Sequence, residues 1–271
     1  MRIRGYRRVR ELIVDQKARR FVASLDRSDY VVPDNVKERL RGKLNSMLDE
    51  NILPFWFPDC LDLEFGGYRS ECSITGEWQP FRDKNIISQS RILWFTSRLI
   101  RFGRTSADNL RWAQHGFAFL KDHFWDDDYG GFFWEIDFEN KRPTKPNKHL
   151  CGQAFGLHAL SEFALATGDS DARSMADQLF ELLDRHAHDP AHGGYLEYLA
   201  RDWTPVHSRE PHYMGHPPDI KQVNTHVHLM EAFTLYERFP ESELVRNRLT
   251  QLVMIQSSAV VRKQGVGCTE V

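Results

Sequence analysis

The densest chemistry in the chain lies in the stretch Lys221-Gln222-Val223-Asn224-Thr225-His226-Val227-His228-Leu229-Met230-Glu231-Ala232-Phe233. Folded as a helix, it puts Asn224, His228 and Glu231 on one stripe, because residues three and four apart share a face. His226 points elsewhere. The pair His226 and His228 is therefore not expected to chelate a metal, since helical ligands need an i,i+3 or i,i+4 relation. A polar stripe in an apolar surround is either a satisfied buried network or a site.

Three lysines, Lys84, Lys148 and Lys221, each open an apolar segment, and seven residues beyond them stand Arg91, Phe155 and His228. Seven residues are two helical turns, so the three side chains are expected at one height on neighbouring helices. An arginine offers a fork of donors to oxygen-rich groups, and a histidine moves protons near neutral pH. An aromatic face covers the apolar side of a sugar ring. The competing readings are ordinary structural ones: a core phenylalanine, a buried arginine ion pair and a satisfied core histidine.

The elements that position these residues follow from a repeat. Gly66-Gly67, Gly130-Gly131 and Gly193-Gly194 recur at spacings of 64 and then 63 residues, and Tyr68, Phe132 and Tyr195 follow them. Regular self-similarity on this scale marks a repeat architecture. Short extended stretches are expected after each doublet, over 68–71, 132–137 and 195–199. The first two lysines lie 17 residues beyond their doublets and the third 27 beyond, an insertion of 10 that carries Pro211, Pro217 and Pro218.

Apolar helices are expected at 85–102, 148–167 and 221–238, and more charged ones at 36–50, 107–122, 171–187 and 241–256. Alternating inner and outer helices joined by hairpin loops predict an all-α toroid of α/α pairs. The inner helices would line its pocket and the loops its mouth. A ring of six pairs at this period needs roughly 380 residues, so about four pairs and an incomplete ring are expected here. Residues 1–36 read as a basic lead-in and 37–271 as the partial barrel.

Composition narrows the function classes. A formal net charge of -2 without long like-charge blocks gives no reason to expect nucleic acid. No apolar run approaches the roughly 20 residues that cross a bilayer, and the N-terminus lacks the apolar region of a secretory signal. Cys60, Cys72, Cys151 and Cys268 form no CxxC pair and read as reduced thiols of a cytoplasmic protein. Trp56, Trp78, Trp125, Trp134 and Trp203 lie in or near the loops, as sugar platforms or as plugs. His186, His188, His192, His207, His212 and His216 crowd the third loop without metal-like spacing and are expected to be mostly solvated.

Several segments together are similar to one family. They are Ile52-Leu53-Pro54-Phe55-Trp56, Gly66-Gly67-Tyr68, Ser90-Arg91-Ile92-Leu93-Trp94-Phe95, Tyr129 through Trp134 with Asp137-Phe138-Glu139, Lys148-His149 with Ala154-Phe155, and Asn224 through Thr234. In that order they resemble the N-acylglucosamine 2-epimerase family. The resemblance implies an (α/α)6 barrel and epimerisation at C2 of a reducing-end sugar, glucose against mannose, through ring opening and a cis-enediolate, with no metal or other cofactor. It implies Arg91, His228 and Glu231 as catalytic residues. Asn224, Phe155, Trp94 and Trp56 become the expected substrate contacts.

It also implies that the histidine pair transferring the C2 proton lies beyond residue 271, so a fragment, inactive or poorly folded alone, is expected. Cys151 stands where a relative would carry tyrosine. The expected partner is a small saccharide, with neither nucleic acid nor membrane, and the protein is expected as a monomer or homodimer. Alternatives are an aldose–ketose isomerase of the same family and a non-catalytic sugar-binding module. An inverting glycosidase needs two carboxylates about 6.5–9.5 Å apart, and no acidic pair occupies equivalent inner positions.

Overall fold

Each inner helix begins two residues after its lysine rather than at it. Lys84 and Lys148 sit in two-residue strands, β1 (Lys84–Asn85) and β4 (Lys148–His149), and the helices α3 (Ile86–Arg101) and α5 (Leu150–Thr167) start beyond them; Lys221 likewise precedes α7 (Val223–Tyr236). The extended lysine is freed to reach back to the preceding loop. The computed structural model describes residues 32–79, 82–206, 212–218, 220–239, 242–263 and 266–267. These fall into two compact units, divided between Phe57 and Pro58.

The first unit contains α1 (Asp34–Met47) and the short α2 (Leu53–Trp56), joined by a π turn over Leu48–Ile52. Trp56 closes α2, its ring edge-on to Phe55 at 5.7 Å. In the second unit, α3, α5 and α7 pack side by side as an inner layer. The outer helices α4 (Ala107–Phe119), α6 (Ser170–Leu182) and α8 (Glu243–Ile255) each pack against the inner helix before them. This is the expected alternation of a partial α/α barrel. Among the described residues, no helix is long and apolar enough to cross a membrane.

Local sequence explains the boundaries. Asn85, Ser106, Asp169 and Ser242 cap their helices by accepting from the backbone N–H groups of Ile87, Asn109, Ala172 and Val245, which supplies partners to otherwise orphaned donors. Gly168, with φ at +74°, ends α5 in the left-handed conformation that glycine adopts without strain. Helices α1, α4, α6 and α8 each run into a five-residue π turn, over Leu48–Ile52, Leu120–Phe124, Leu183–Ala187 and Gln256–Val260. That shared ending has no visible composition signal.

The loops between layers are short antiparallel pieces. Strand β1 pairs with β2 (Glu135–Ile136), which pairs with β3 (Pro143–Lys145); β4 pairs with β5 (Tyr198–Leu199). Consecutive repeats are thereby stitched at their loop ends. The core lies between the layers, where Tyr68, Phe132 and Tyr195, the aromatics after the glycine doublets, are at most 1% exposed. Helix glycines make room for two of them: a Cβ at Gly116 or Gly156 would overlap the Tyr68 or Phe132 ring.

Candidate functional site

The three lysines proved to be structural. Lys84 donates to Asp62 at 2.7 Å, Lys148 to Asp126 at 2.8 Å and Lys221 to Asp189 at 2.6 Å. Each aspartate stands four residues before its glycine doublet. The Lys148 and Asp126 side chains are fully buried, and Arg201 adds a second cation on the same carboxylate. Burial pushes Lys148 down to about 8, against the pull of Asp126. Burial works to raise Asp126, but the bonds from Arg201 and Lys148 outweigh it and hold its carboxyl below the usual range.

Five residues after each lysine comes a second joint. Gln89 Oε1 accepts the Tyr68 N–H and its amide donates to the Tyr68 carbonyl, both at 2.8 Å. Gln153 does the same for Phe132, at 2.8 and 2.7 Å. In the third repeat His226 takes this place: Nε2 accepts the Tyr195 N–H at 3.1 Å, and Nδ1 lies 2.8 Å from the Gln222 carbonyl. A backbone N–H can only donate, so His226 is the Nδ1–H tautomer. The second glycine of each doublet is required here. A Cβ at Gly67, Gly131 or Gly194 would come within 2.6, 3.0 or 2.7 Å of the Gln89, Gln153 or His226 acceptor.

The residues seven beyond the lysines meet as the spacing predicts. The Arg91 guanidinium lies 4.5 Å from the centre of the Phe155 ring, and that ring is 4.4 Å from the His228 imidazole. Arg91 is exposed, so the buried ion-pair reading does not describe it. His228 Nδ1 is 2.9 Å from Glu231 Oε2. The carboxylate accepts, which places the proton on Nδ1 and leaves the Nε2 lone pair available. Asn224 and Glu231 are exposed on the same stripe.

Three residues further lies another row: Trp94, His158 and Glu231, with Trp94 and His158 ring centres 5.5 Å apart. Below it, Arg98 and Arg101 converge on the buried Glu162 at 3.2 and 2.9 Å. The inner face thus runs from an open polar stripe to a floor of ion pairs. His158 was not singled out by sequence reasoning, though its place ten residues after Lys148 marks it. Trp56 belongs to the first unit.

The third-loop histidines divide. His192 and His216 are exposed, and His207 lies outside the described residues. His212 overturns the expectation of a solvated ring: it is 4% exposed, packed against His149 at 4.6 Å and Tyr198 at 5.6 Å. Trp134 and Trp203 are buried as plugs, at 7% and 3% exposure.

His149, Glu197 and His212 have the ligand types of a metal site, with candidate atoms within 4.8 Å of one another. Hydrogen bonding gives them another task. Backbone N–H groups of Cys151 and Met214 donate to Nδ1 of His149 and His212, so both neutral rings carry their proton on Nε2. His149 Nε2 is then a donor to His212 Nδ1, 3.2 Å away, rather than a metal-binding lone pair. Burial holds His149 near 3 and His212 near 4. It pushes Glu197 up to about 7, against bonds from the Thr225 hydroxyl and the Gln222 N–H. The cluster reads as a buried joint for the inserted loop, and the same burial pushes the neighbouring Cys151 thiol up to about 12.

Residues 66–270 match the family described as N-acylglucosamine 2-epimerase (GlcNAc 2-epimerase). A cellobiose 2-epimerase of Ruminococcus albus is 35% identical over 77% of this chain and 52% of its own length. The solved cellobiose 2-epimerase of Spirochaeta thermophila superposes with a TM-score of 0.76 at 30% identity, covering 86% of this chain and 57% of that one. A D-mannose isomerase of Marinomonas mediterranea is 27% identical over 68% of this chain and 42% of its length. The chain spans about half the length of the curated relatives it matches.

Proposed function

Because the chain belongs to the N-acylglucosamine 2-epimerase family, we propose that its inner-helix face serves a sugar 2-epimerase, binding a reducing-end hexose and assisting its ring opening. The observation that carries this reading is the contiguous set Arg91, Phe155 and His228 with Glu231 behind the imidazole. It combines a donor fork, an apolar ring edge and an oriented proton acceptor on one face.

Arg91 would hold the oxygens at C1 and C2 and polarise the C1 carbonyl as the ring opens. Phe155, 9% exposed between Arg91 and His228, would offer the sugar its remaining open edge. His228, kept as the Nδ1–H tautomer by Glu231, presents Nε2 to take a hydroxyl proton and return it, with Asn224 as a further hydrogen-bonding group on the stripe. Removal of the proton at C2 gives the enediolate, and reprotonation on the opposite face gives the 2-epimer; that exchange is not assigned to a residue of this chain. Aldose–ketose isomerisation shares the enediolate and differs only in the carbon that is reprotonated. The D-mannose isomerase relative makes it the second reading.

The test is calorimetric titration of this chain with cellobiose and, for a chain that also carries the proton-transfer pair the family implies, incubation with the same sugar in deuterated water. Deuterium at C2 of a 2-epimer, and binding weakened by Arg91→Ala, are the expected results. A ketose product would move the assignment to the isomerase. Failure of the wild-type chain to bind the sugar would remove the site from this face.

A further inference from the structure

His158 is an exception on its own helix. From Leu150 to Ala164, every other residue of α5 is buried, and His158 alone is only half-buried. A polar side chain in such a helix is normally either sunk with a partner or turned to solvent with its neighbours. His158 does neither. Its ring lies 5.5 Å from that of Trp94, and neither imidazole nitrogen has a hydrogen-bond partner among the described residues.

Position explains where those nitrogens open. His158 follows Phe155 by three residues, on the same stripe and about 4.5 Å further along the axis. Its repeat equivalents are Trp94 on one neighbouring helix and Glu231 on the other. Arg91 and His228 flank Phe155 directly. His158 therefore borders the same face as these groups, one row nearer the floor that Arg98, Arg101 and Glu162 form. A single hexose set against the open edge of Phe155 can touch both rows.

We propose that His158 is a substrate-positioning residue, hydrogen-bonding a hydroxyl of the sugar set against Phe155. The inference rests on the carbohydrate reading above and adds a residue to it. A neutral imidazole suits the task, since one nitrogen donates and the other accepts, matching a hydroxyl in either sense. Burial keeps the ring neutral by holding it near 4, although Glu231 pulls the other way.

The test compares His158→Gln with His158→Phe in the whole chain, by titration with cellobiose and by thermal unfolding. Phenylalanine preserves the flat contact with Trp94 and removes the hydrogen bonds; glutamine does the reverse. The inference expects phenylalanine to weaken sugar binding about tenfold, the size of one hydrogen bond to a ligand, with unfolding unchanged or improved. Glutamine should bind within about twofold of wild type. If His158 serves only to pack against Trp94, the ranking inverts, glutamine lowering stability and phenylalanine binding as wild type; that result overturns the inference while leaving the carbohydrate reading intact. Absence of sugar binding by the wild-type chain overturns both. The imidazole 15N resonances give a second readout. Sugar should shift those of His158 and His228 together, and a shift at His228 alone counts against the inference.

Discussion

Replacing His226 separates its joining role from any chemical one. The Tyr195 N–H that it accepts is buried, and the residue carrying it is 0% exposed. His226→Leu leaves that donor without a partner, at a cost of about 1–3 kcal/mol. His226→Gln installs the side chain that already makes this joint at Gln89 and Gln153, and should stay within about 1 kcal/mol of wild type at pH 7.5. The two variants diverge from wild type with pH. Burial lowers the His226 pKa in the folded chain, while in the unfolded chain it lies near about 6.5.

As pH falls below that value, the unfolded state takes up a proton that the native state refuses. Native stability then falls by up to about 1.4 kcal/mol per pH unit from this one group, until the folded pKa is reached. Glutamine has no such proton, so stability measured against wild type should move in its favour between pH 6.5 and 5.5. Urea unfolding followed by tryptophan fluorescence at several pH values measures the difference directly. Equal acid sensitivity of wild type and His226→Gln, or a leucine variant as stable as wild type, would refute the assignment.

Other perturbations follow from the same interactions. Glu197 keeps its proton up to about 7 in the folded chain against about 4.3 unfolded, so it contributes stability at low pH that is lost as pH rises through that window. Glu197→Gln should therefore be close to neutral at pH 5 and stabilising by roughly 2–3 kcal/mol at pH 8, measured by denaturant midpoints; a destabilised variant at pH 8 would contradict this. Lys148→Met strands part of the charge on a fully buried carboxylate and should cost about 3 kcal/mol. Lys221→Met acts on a pair whose side chains are 18% and 16% exposed, and should cost less. Equal losses would show that burial does not set the strength of these joints.

Much of the candidate site was legible because the repeat keeps its register inside each helix. The interval of seven from Lys84, Lys148 and Lys221 located Arg91, Phe155 and His228, which meet in space. The stripe of Asn224, His228 and Glu231 followed from helical periodicity alone. Burial of His212 was not legible, since it depends on an inserted loop docking against Trp134, His149 and Tyr198, which no local pattern encodes. The purpose of the lysines was half visible. Each partner aspartate sits at a fixed place before the doublets, but around Asp126 it is masked by Asp127 and Asp128. The apolar pattern places the inner-helix starts one residue early at Ile86 and two early at Leu150 and Val223, because each lysine must stay extended to reach its partner.

His226 and His228 are two residues apart, and at about 100° per residue they leave the helix on nearly opposite sides. One fastens the loop and the other faces the open stripe. The same partition holds at Gln153 and Phe155, and at Gln89 and Arg91. Each inner helix therefore carries a fastener and a tool on separate faces. If the open stripe binds as proposed, substitutions at the tool positions would retune what is bound without loosening the frame, while those at the fasteners would change durability. On that reading, binding and holding together could be varied independently, one rung at a time.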